Sequence, residues 1–342
     1  MKAAVLREVG APLSIEEVPT PEAGPGEVIV KVAAAGMCHS DLHIMDGSSP
    51  TFRLPHILGH EIAGWVHELG QGTDDAGFAA GDPVVVFGGW GCGHCRDCRA
   101  GNTQLCSVAR WVGMGFDGGY AQYVRVPTTG YLLAAGDLDL TMAASLTDAG
   151  LTAYRAVRSS VGNLYPGSTA VLIGAGGLGQ YGVQFLKLLT AAQVVVVDNS
   201  ADKRQTALEL GADAVIDGAA PDAADQIRSI TGPRGAAAVL DFVGVDPTLA
   251  LGLAVLGQSG RLVLIGIGGG SLPIAFYTLP MEASVTTSAW GNLNDLVEVL
   301  ALAQAGKLVS RTQVYGLDQI NDGFAELERG AVPGRAVLNP QL

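Results

Sequence analysis

Four of the chain's five cysteines fall in one short stretch, "CGHCRDCRAGNTQLC", at Cys92, Cys95, Cys98 and Cys106. Two Cys-x2-Cys steps can each aim a pair of thiolates at one point. The longer loop to Cys106 then closes the fourth corner of a tetrahedron, the all-sulfur geometry of a structural zinc. Four thiolates around a divalent ion leave a charge of about −2, and Arg96, Arg99 and Arg110 stand close in sequence to offset it. A disulfide pair and an iron–sulfur cluster are the competing readings. On any of them these cysteines hold a loop together.

A second pattern, "VLIGAGGLG", places Gly174, Gly176 and Gly179 in a G-x-G-x-x-G turn, with Gly177 and Leu178 filling it. The turn follows a β-rich run and precedes a helical one, and Asp198 ends the next β-rich run, "VVVVD". Glycines let a backbone approach a pyrophosphate at a helix N-terminus, while an acid about 20 residues on accepts from the ribose hydroxyls. A carboxylate there repels a 2′-phosphate, which favours NAD over NADP. The competing reading is a glycine-rich turn with a helix-capping aspartate.

Two textures must position these groups. The first 149 residues carry short β-like runs such as "EVIVKVAAAG", "IAGWVHELG", "DPVVVFG" and "YAQYVRVP", punctuated by Gly, Pro and Asp. They predict an antiparallel barrel or sandwich. From about residue 165, apolar strands alternate with helical runs, predicting a parallel, doubly wound sheet. Two helical runs after Trp290 and a last strand, "GRAVLNP", are too short for a domain and should pack back on one of the other two. At 342 residues, 48% hydrophobic and 15% charged, the chain has material for about two cores. A net charge of −13 argues against nucleic acid and anionic membrane surfaces. The uncharged run from Leu262 is broken by Gly268, Gly269, Gly270 and Pro273, so no membrane span is expected. The N-terminal stretch lacks the pattern of a signal peptide, which makes the cytoplasm the expected location.

Cys38 in "GMCHSDLH", then His60 in "LGHEIAGW", then the four-cysteine loop, then the dinucleotide turn follow one another in the chain. In this combination the chain resembles the zinc-dependent medium-chain alcohol dehydrogenases along essentially its full length, and most of all actinobacterial NAD-dependent secondary-alcohol dehydrogenases. The resemblance implies an α/β architecture: a GroES-like β-barrel catalytic domain of residues 1–149 and 290–342, and a Rossmann domain of residues 150–289. It implies two zinc ions per chain, one of them catalytic, and reversible hydride transfer between an alcohol and NAD (class EC 1.1.1.-, with 1.1.1.1 the nearest).

By match to the family's motifs, Cys38 and His60 are ligands of the catalytic zinc. Asp148, in "LTDAGLTAY", stands where the family carries Cys or Asp. It departs from the Cys2His set. Capping a helix that begins near Gly150 is its other reading, and Glu61 is the alternative ligand. Asp41 resembles the carboxylate that orients the histidine ligand, and Ser40 and His43 match a proton relay. His43 otherwise reads as a surface imidazole. The resemblance also makes His39 a neighbour of the pyrophosphate, Thr152 a neighbour of the nicotinamide, Lys203 an adenosine-ribose contact and Arg335 a phosphate contact. Leu178 and Ile267 would line the nicotinamide pocket, Ile267 having strand core as its other reading.

Phe52, Trp90, Trp111 and Trp290 lie near segments expected to border the substrate, favouring apolar alcohols and ketones over polyols. Family habit implies a homodimer or homotetramer. Two other readings compete: a zinc-free quinone or enoyl reductase on the same scaffold, and a non-catalytic NAD-binding protein.

Overall fold

The computed structural model describes residues 1–49, 53–74 and 77–342. Phe52 lies outside the described residues. Two compact units emerge, Met1–Leu151 with Gly291–Leu342, and Thr152–Trp290.

The first unit is organised around the strand Val28–Met37, whose sequence VIVKVAAAGM is buried at every position but Lys31. A strand apolar on both faces must be covered on both. It pairs antiparallel with Glu61–Leu69, Tyr123–Val126 and Arg335–Asn339. Pro83–Val86 and Leu132–Ala134 extend the sheet beyond Glu61–Leu69, and Thr312–Gly316 extends it beyond Arg335–Asn339 by parallel pairing. A smaller sheet joins Ser14–Glu17, Lys2–Leu6 and His56–Ile57. Ile320, Phe324 and Leu327 of the helix Ile320–Glu328 lie in the same core as Val30, Ile62 and Val84. The C-terminal segment therefore completes this unit.

The helix expected near Gly150 begins earlier. Asp139 caps Leu140–Ser145 by accepting the Thr141 N–H at 3.1 Å, and the helical run continues through a wide π turn, Leu146–Gly150, into Leu151–Arg158. Asp148 sits inside that π turn, so the capping reading is excluded. Single π turns often mark functional positions, because the extra residue re-aims a side chain.

The second unit is a six-stranded, all-parallel sheet. Its order is Ala214–Asp217, Gln193–Asp198, Thr169–Ile173, Ala236–Asp241, Leu256–Leu264, Ser284–Thr287. In sequence rank this is 3-2-1-4-5-6, the Rossmann order, with the chain reversing direction of travel beside Thr169–Ile173. Thr169–Ile173 and Val194–Val197 are buried throughout, as strands covered on both faces must be. The run from Leu262 ends its strand at Leu264, and among the described residues no helix is long and apolar enough to cross a membrane.

Candidate active site and cofactor turn

In the first unit, Cys38, His60, Glu61 and Asp148 offer donor atoms that all lie within 4.8 Å of one another, and all four residues are buried. Cys38 precedes the helix His39–Met45, His60 precedes the strand Glu61–Leu69, and Asp148 comes from the π turn. Asp148 Oδ2 lies 3.3 Å from His60 Nε2 and 3.9 Å from Cys38 Sγ. A thiolate, an imidazole and a carboxylate so close, in a buried site, fit a zinc ion with bonds of about 2.0–2.3 Å. The three sequence-predicted ligands are thus brought together.

The other ring nitrogen of His60, Nδ1, lies 3.3 Å from Asp41 Oδ1. Asp41 is fully buried and accepts from the Cys38 N–H at 3.2 Å and from the Tyr120 hydroxyl at 2.7 Å. Burial works against a charged imidazole, but the Asp41 charge and the bonds to Asp148, Asp41 and Cys38 outweigh it and raise the His60 pKa well above its ordinary value. Burial, with the Asp41 charge behind it, raises the Tyr120 phenol well above its own, so it stays a donor. Sequence reasoning missed Tyr120. It stands in "GGYAQY", where only the fold brings it beside Asp41.

Glu61 does not point freely at this cluster. Both of its oxygens accept from Arg335 Nη2 at 2.6 Å, and that guanidinium also reaches the Met37 carbonyl at 3.4 Å. Burial pushes the Glu61 carboxyl up to about 7, against the pull of Arg335 and with the push of Asp148. Arg335, expected at a phosphate, is almost wholly buried in this pair. Gly36 makes room for it: a Cβ there would meet Glu61 Oε2 at 1.7 Å.

Ser40 Oγ lies 3.6 Å from Cys38 Sγ, at the rim of the same cluster. His43 is half-buried, with Nδ1 3.0 Å from Ser48 Oγ, and His39 is exposed. Trp90 is core: it donates to the Phe87 carbonyl at 2.7 Å and packs on Phe116 and Tyr131. Trp290 is also buried, whereas Trp111 is half-exposed on a two-residue strand.

The four loop cysteines form the second donor group, again within 4.8 Å of one another. Backbone N–H groups of Cys95, Cys98 and Cys92 point at Cys92 Sγ, Cys95 Sγ and Cys106 Sγ at 3.4–3.5 Å. Backbone N–H bonds from His94 and Cys95 pull the Cys92 thiol down to about 6, while burial pushes Cys98 up to about 12. Four sulfurs, with amides already turned toward three of them, fit a tetrahedral zinc.

In the second unit the glycine turn follows Thr169–Ile173, and the helix Gly179–Leu189 starts directly after it. A Cβ at Gly179 would meet the Gly174 carbonyl at 1.9 Å, whereas the space beside Gly176 is open, a cradle shaped for phosphate. Asp198 faces the turn: Oδ2 accepts from the Ala175 N–H and Oδ1 from the Ser200 N–H, each at 2.8 Å. Leu178 is half-buried at the start of the helix, Thr152 is buried, and Ile267 is 56% exposed in the loop after Leu264, which removes its reading as strand core. Lys203 sits in the first turn of the helix Ala201–Glu209, its N–H capped by Ser200 Oγ.

Known proteins agree with this geometry. Residues 24–136 match the alcohol dehydrogenase GroES-like domain, and residues 177–305 match the zinc-binding dehydrogenase domain. The chain is 38% identical to an NAD-dependent alcohol dehydrogenase of Sulfurisphaera tokodaii, over 99% of this chain and 100% of that one. It is 36% identical to a D-arabinose 1-dehydrogenase (NADP(+)) of Saccharolobus solfataricus, over 99% and 97%. It superposes on the crystal structure of an alcohol dehydrogenase from Aeropyrum pernix with a TM-score of 0.92 at 38% identity, covering 99% of this chain and 100% of that one. The chain belongs to the zinc-dependent medium-chain alcohol dehydrogenase family. It is an alcohol dehydrogenase that works with zinc and NAD.

Proposed function

We propose that the chain interconverts apolar secondary or aryl alcohols and their ketones or aldehydes, with primary alcohols as further substrates, and that Cys38, His60 and Asp148 form its catalytic metal site. One observation carries the reading: three donors of different chemistry, from three separated stretches of chain, converge in a buried cluster whose histidine is held from behind by Asp41. Zinc at such a site acts as a Lewis acid that makes a substrate hydroxyl easier to deprotonate, and NAD takes up the hydride.

Each residue has its part. Cys38, His60 and Asp148 would hold the ion, a three-donor set of the kind that catalytic zinc sites use. Asp41 would fix the His60 ring through Nδ1 and turn Nε2 toward the ion, whose charge would displace the Nε2 proton. Ser40 Oγ would take the hydroxyl proton while releasing its own, and His43 would pass a proton on toward solvent. Glu61 belongs to the same donor group, with its carboxylate shared with Arg335. In the second unit, Gly174, Gly176, Gly177, Leu178 and Gly179 bind the pyrophosphate, while Asp198 and Lys203 bind the adenosine ribose. Thr152, Leu178 and Ile267 border the nicotinamide. The two units serve as catalytic and cofactor domains, and location in the cytoplasm is part of the same reading.

Oligomerisation belongs here too. Among the described residues, Ser284–Thr287 pairs on one side only, as the edge of the parallel sheet. Just before it, Ile274, Phe276, Tyr277 and Met281 are exposed, Phe276 at 81% and Tyr277 at 94%. Exposed edges and apolar patches invite association, and two-fold pairing of identical edges is a closed arrangement. A homodimer through this edge is proposed; Phe276→Glu with Tyr277→Glu should shift the mass in solution to the monomer.

The deciding experiment is a screen of alcohols for NAD reduction, run with metal analysis. Activity on apolar secondary alcohols with two zinc ions per chain supports the reading. Turnover by an Asp148→Ala variant at the wild-type rate overturns the metal-site assignment.

A further inference from the structure

The adenosine end of the cofactor turn carries a second acid that the glycine pattern does not announce. Asp198 and Asp217 are partners in register at the ends of adjacent parallel strands. Side chains at paired positions share a face of the sheet. Between them runs Arg204, from the first turn of the helix Ala201–Glu209. Its Nη1 donates to the Asp198 carbonyl at 2.7 Å, and its Nη2 lies 3.3 Å from Asp217 Oδ2. The Arg204 side chain is only 18% exposed, although it carries a full charge. The loops that carry the two acids pack tightly, since a Cβ at Gly218 would meet Asn199 Oδ1 at 2.6 Å.

We propose that Asp217 is a specificity-determining residue for the cofactor: it holds Arg204 against the strand ends and so denies that guanidinium to a 2′-phosphate. The proposal rests on the reading of Asp198 as the ribose contact. An arginine beside this acid is the group that would otherwise accommodate the 2′-phosphate of NADP, through charge and paired N–H donors. Here one donor nitrogen is committed to a carbonyl and the other faces a carboxylate. Discrimination against NADP then has two sources: repulsion by Asp198, and neutralisation of Arg204 by Asp217. Freed from Asp217, Arg204 has the reach of its long side chain to meet a phosphate on the ribose edge.

Asp217→Asn is the informative change. Asp217 Oδ1 also accepts the Ala219 N–H at 3.0 Å, and an asparagine oxygen can keep that bond while the charge is lost. An ion pair whose carboxylate is 45% exposed contributes little to stability, so the variant should fold.

NADH and NADPH binding to the purified protein is read from fluorescence of the reduced nicotinamide, and kcat/KM is measured with NAD and NADP. The wild type should bind NADH more tightly than NADPH. Asp217→Asn should move both ratios about tenfold or more toward the phosphorylated cofactor, a change of about 1.4 kcal/mol. Asp217→Asn combined with Arg204→Ala should lose that gain, because the gain is Arg204's. Unchanged ratios in Asp217→Asn, an equal gain in the double variant, or a wild type that binds NADPH as tightly as NADH would overturn the proposal alone. Binding of neither dinucleotide by the wild type would sink the cofactor-site reading and the proposal with it.

Discussion

Tyr120 donates its hydroxyl to Asp41 at 2.7 Å, both side chains wholly buried, and Asp41 in turn lies 3.3 Å from the ring nitrogen of His60 that faces away from the metal site. The His60 ring is thereby steered by a phenol two contacts away. Tyr120→Phe keeps the ring and removes only the donor. A bond to a charged acceptor contributes about 1.5–3 kcal/mol, so the urea midpoint should fall. Loss of such outer partners typically weakens metal affinity about 10–100-fold. Titration with a chelator should show one zinc leaving more readily and the other, at the four cysteines, unchanged. Loss of both zincs together would show a general loosening instead.

The Glu61–Arg335 pair depends on the missing side chain at Gly36. In Gly36→Ala the new methyl would meet Glu61 Oε2 at 1.7 Å and Glu61 Cβ at 2.9 Å, so turning the carboxylate aside does not by itself clear the clash. Overpacking of a core costs about 1–3 kcal/mol. Separating a buried pair adds to that by leaving Arg335 with an uncompensated charge. Gly162→Ala is the control. Nothing lies within 4 Å of a Cβ there, so it should be neutral or mildly stabilising in thermal unfolding.

Local pattern made the Rossmann unit legible: strands of buried valines, a glycine turn and a terminal acid are all short-range signals. The cysteine loop was legible for the same reason. Cys38, His60 and Asp148 were not, as a set, because residues 110 positions apart share a site only through the fold. The motif order supplied that grouping, through resemblance. Asp148 shows the limit most clearly. Its sequence surroundings suit a helix cap, and only the π turn aims it at the metal site. Tyr120, Arg204 and Asp217 carried no local signal, since each gains its meaning from a neighbour across a sheet or a loop.

At the structural-zinc loop, Cys106→Ser should lower the metal content from two zincs to one per chain and reduce the thermal midpoint. The three remaining thiolates cannot close the tetrahedron, and binding energy at such sites is folding energy. NADH binding should persist, because the glycine turn and Asp198 belong to the other compact unit. Metal analysis alongside NADH fluorescence checks both halves. A variant that keeps two zincs would show that the loop holds its ion with three sulfurs and a substitute donor.

Asp213 gives a pH dependence away from both metal sites. It accepts the Val194 N–H at 2.7 Å and faces the Lys187 amine with both oxygens at 3.0 Å, clasping the outer strands of the parallel sheet. Partial burial works to raise its pKa, but the Val194 bond, the Lys187 bond and the Lys187 charge prevail and hold it below the ordinary carboxylate value. A carboxyl whose folded value lies below its unfolded value, about 3.9, stabilises the fold above that unfolded value. The contribution fades as pH drops through the folded one. Asp213→Asn should therefore have a lower urea midpoint than the wild type at pH 7 and at pH 5. Below about pH 4 the unfolded chain takes up a proton at this carboxyl while the folded one resists it, so the gap should narrow there. High salt at pH 7 should narrow it too, because the Lys187 contact is more than a third exposed and open to screening. A gap that stays constant from pH 7 to pH 3 would mean that the neutral amide fails through geometry, and that the charge on Asp213 contributes nothing.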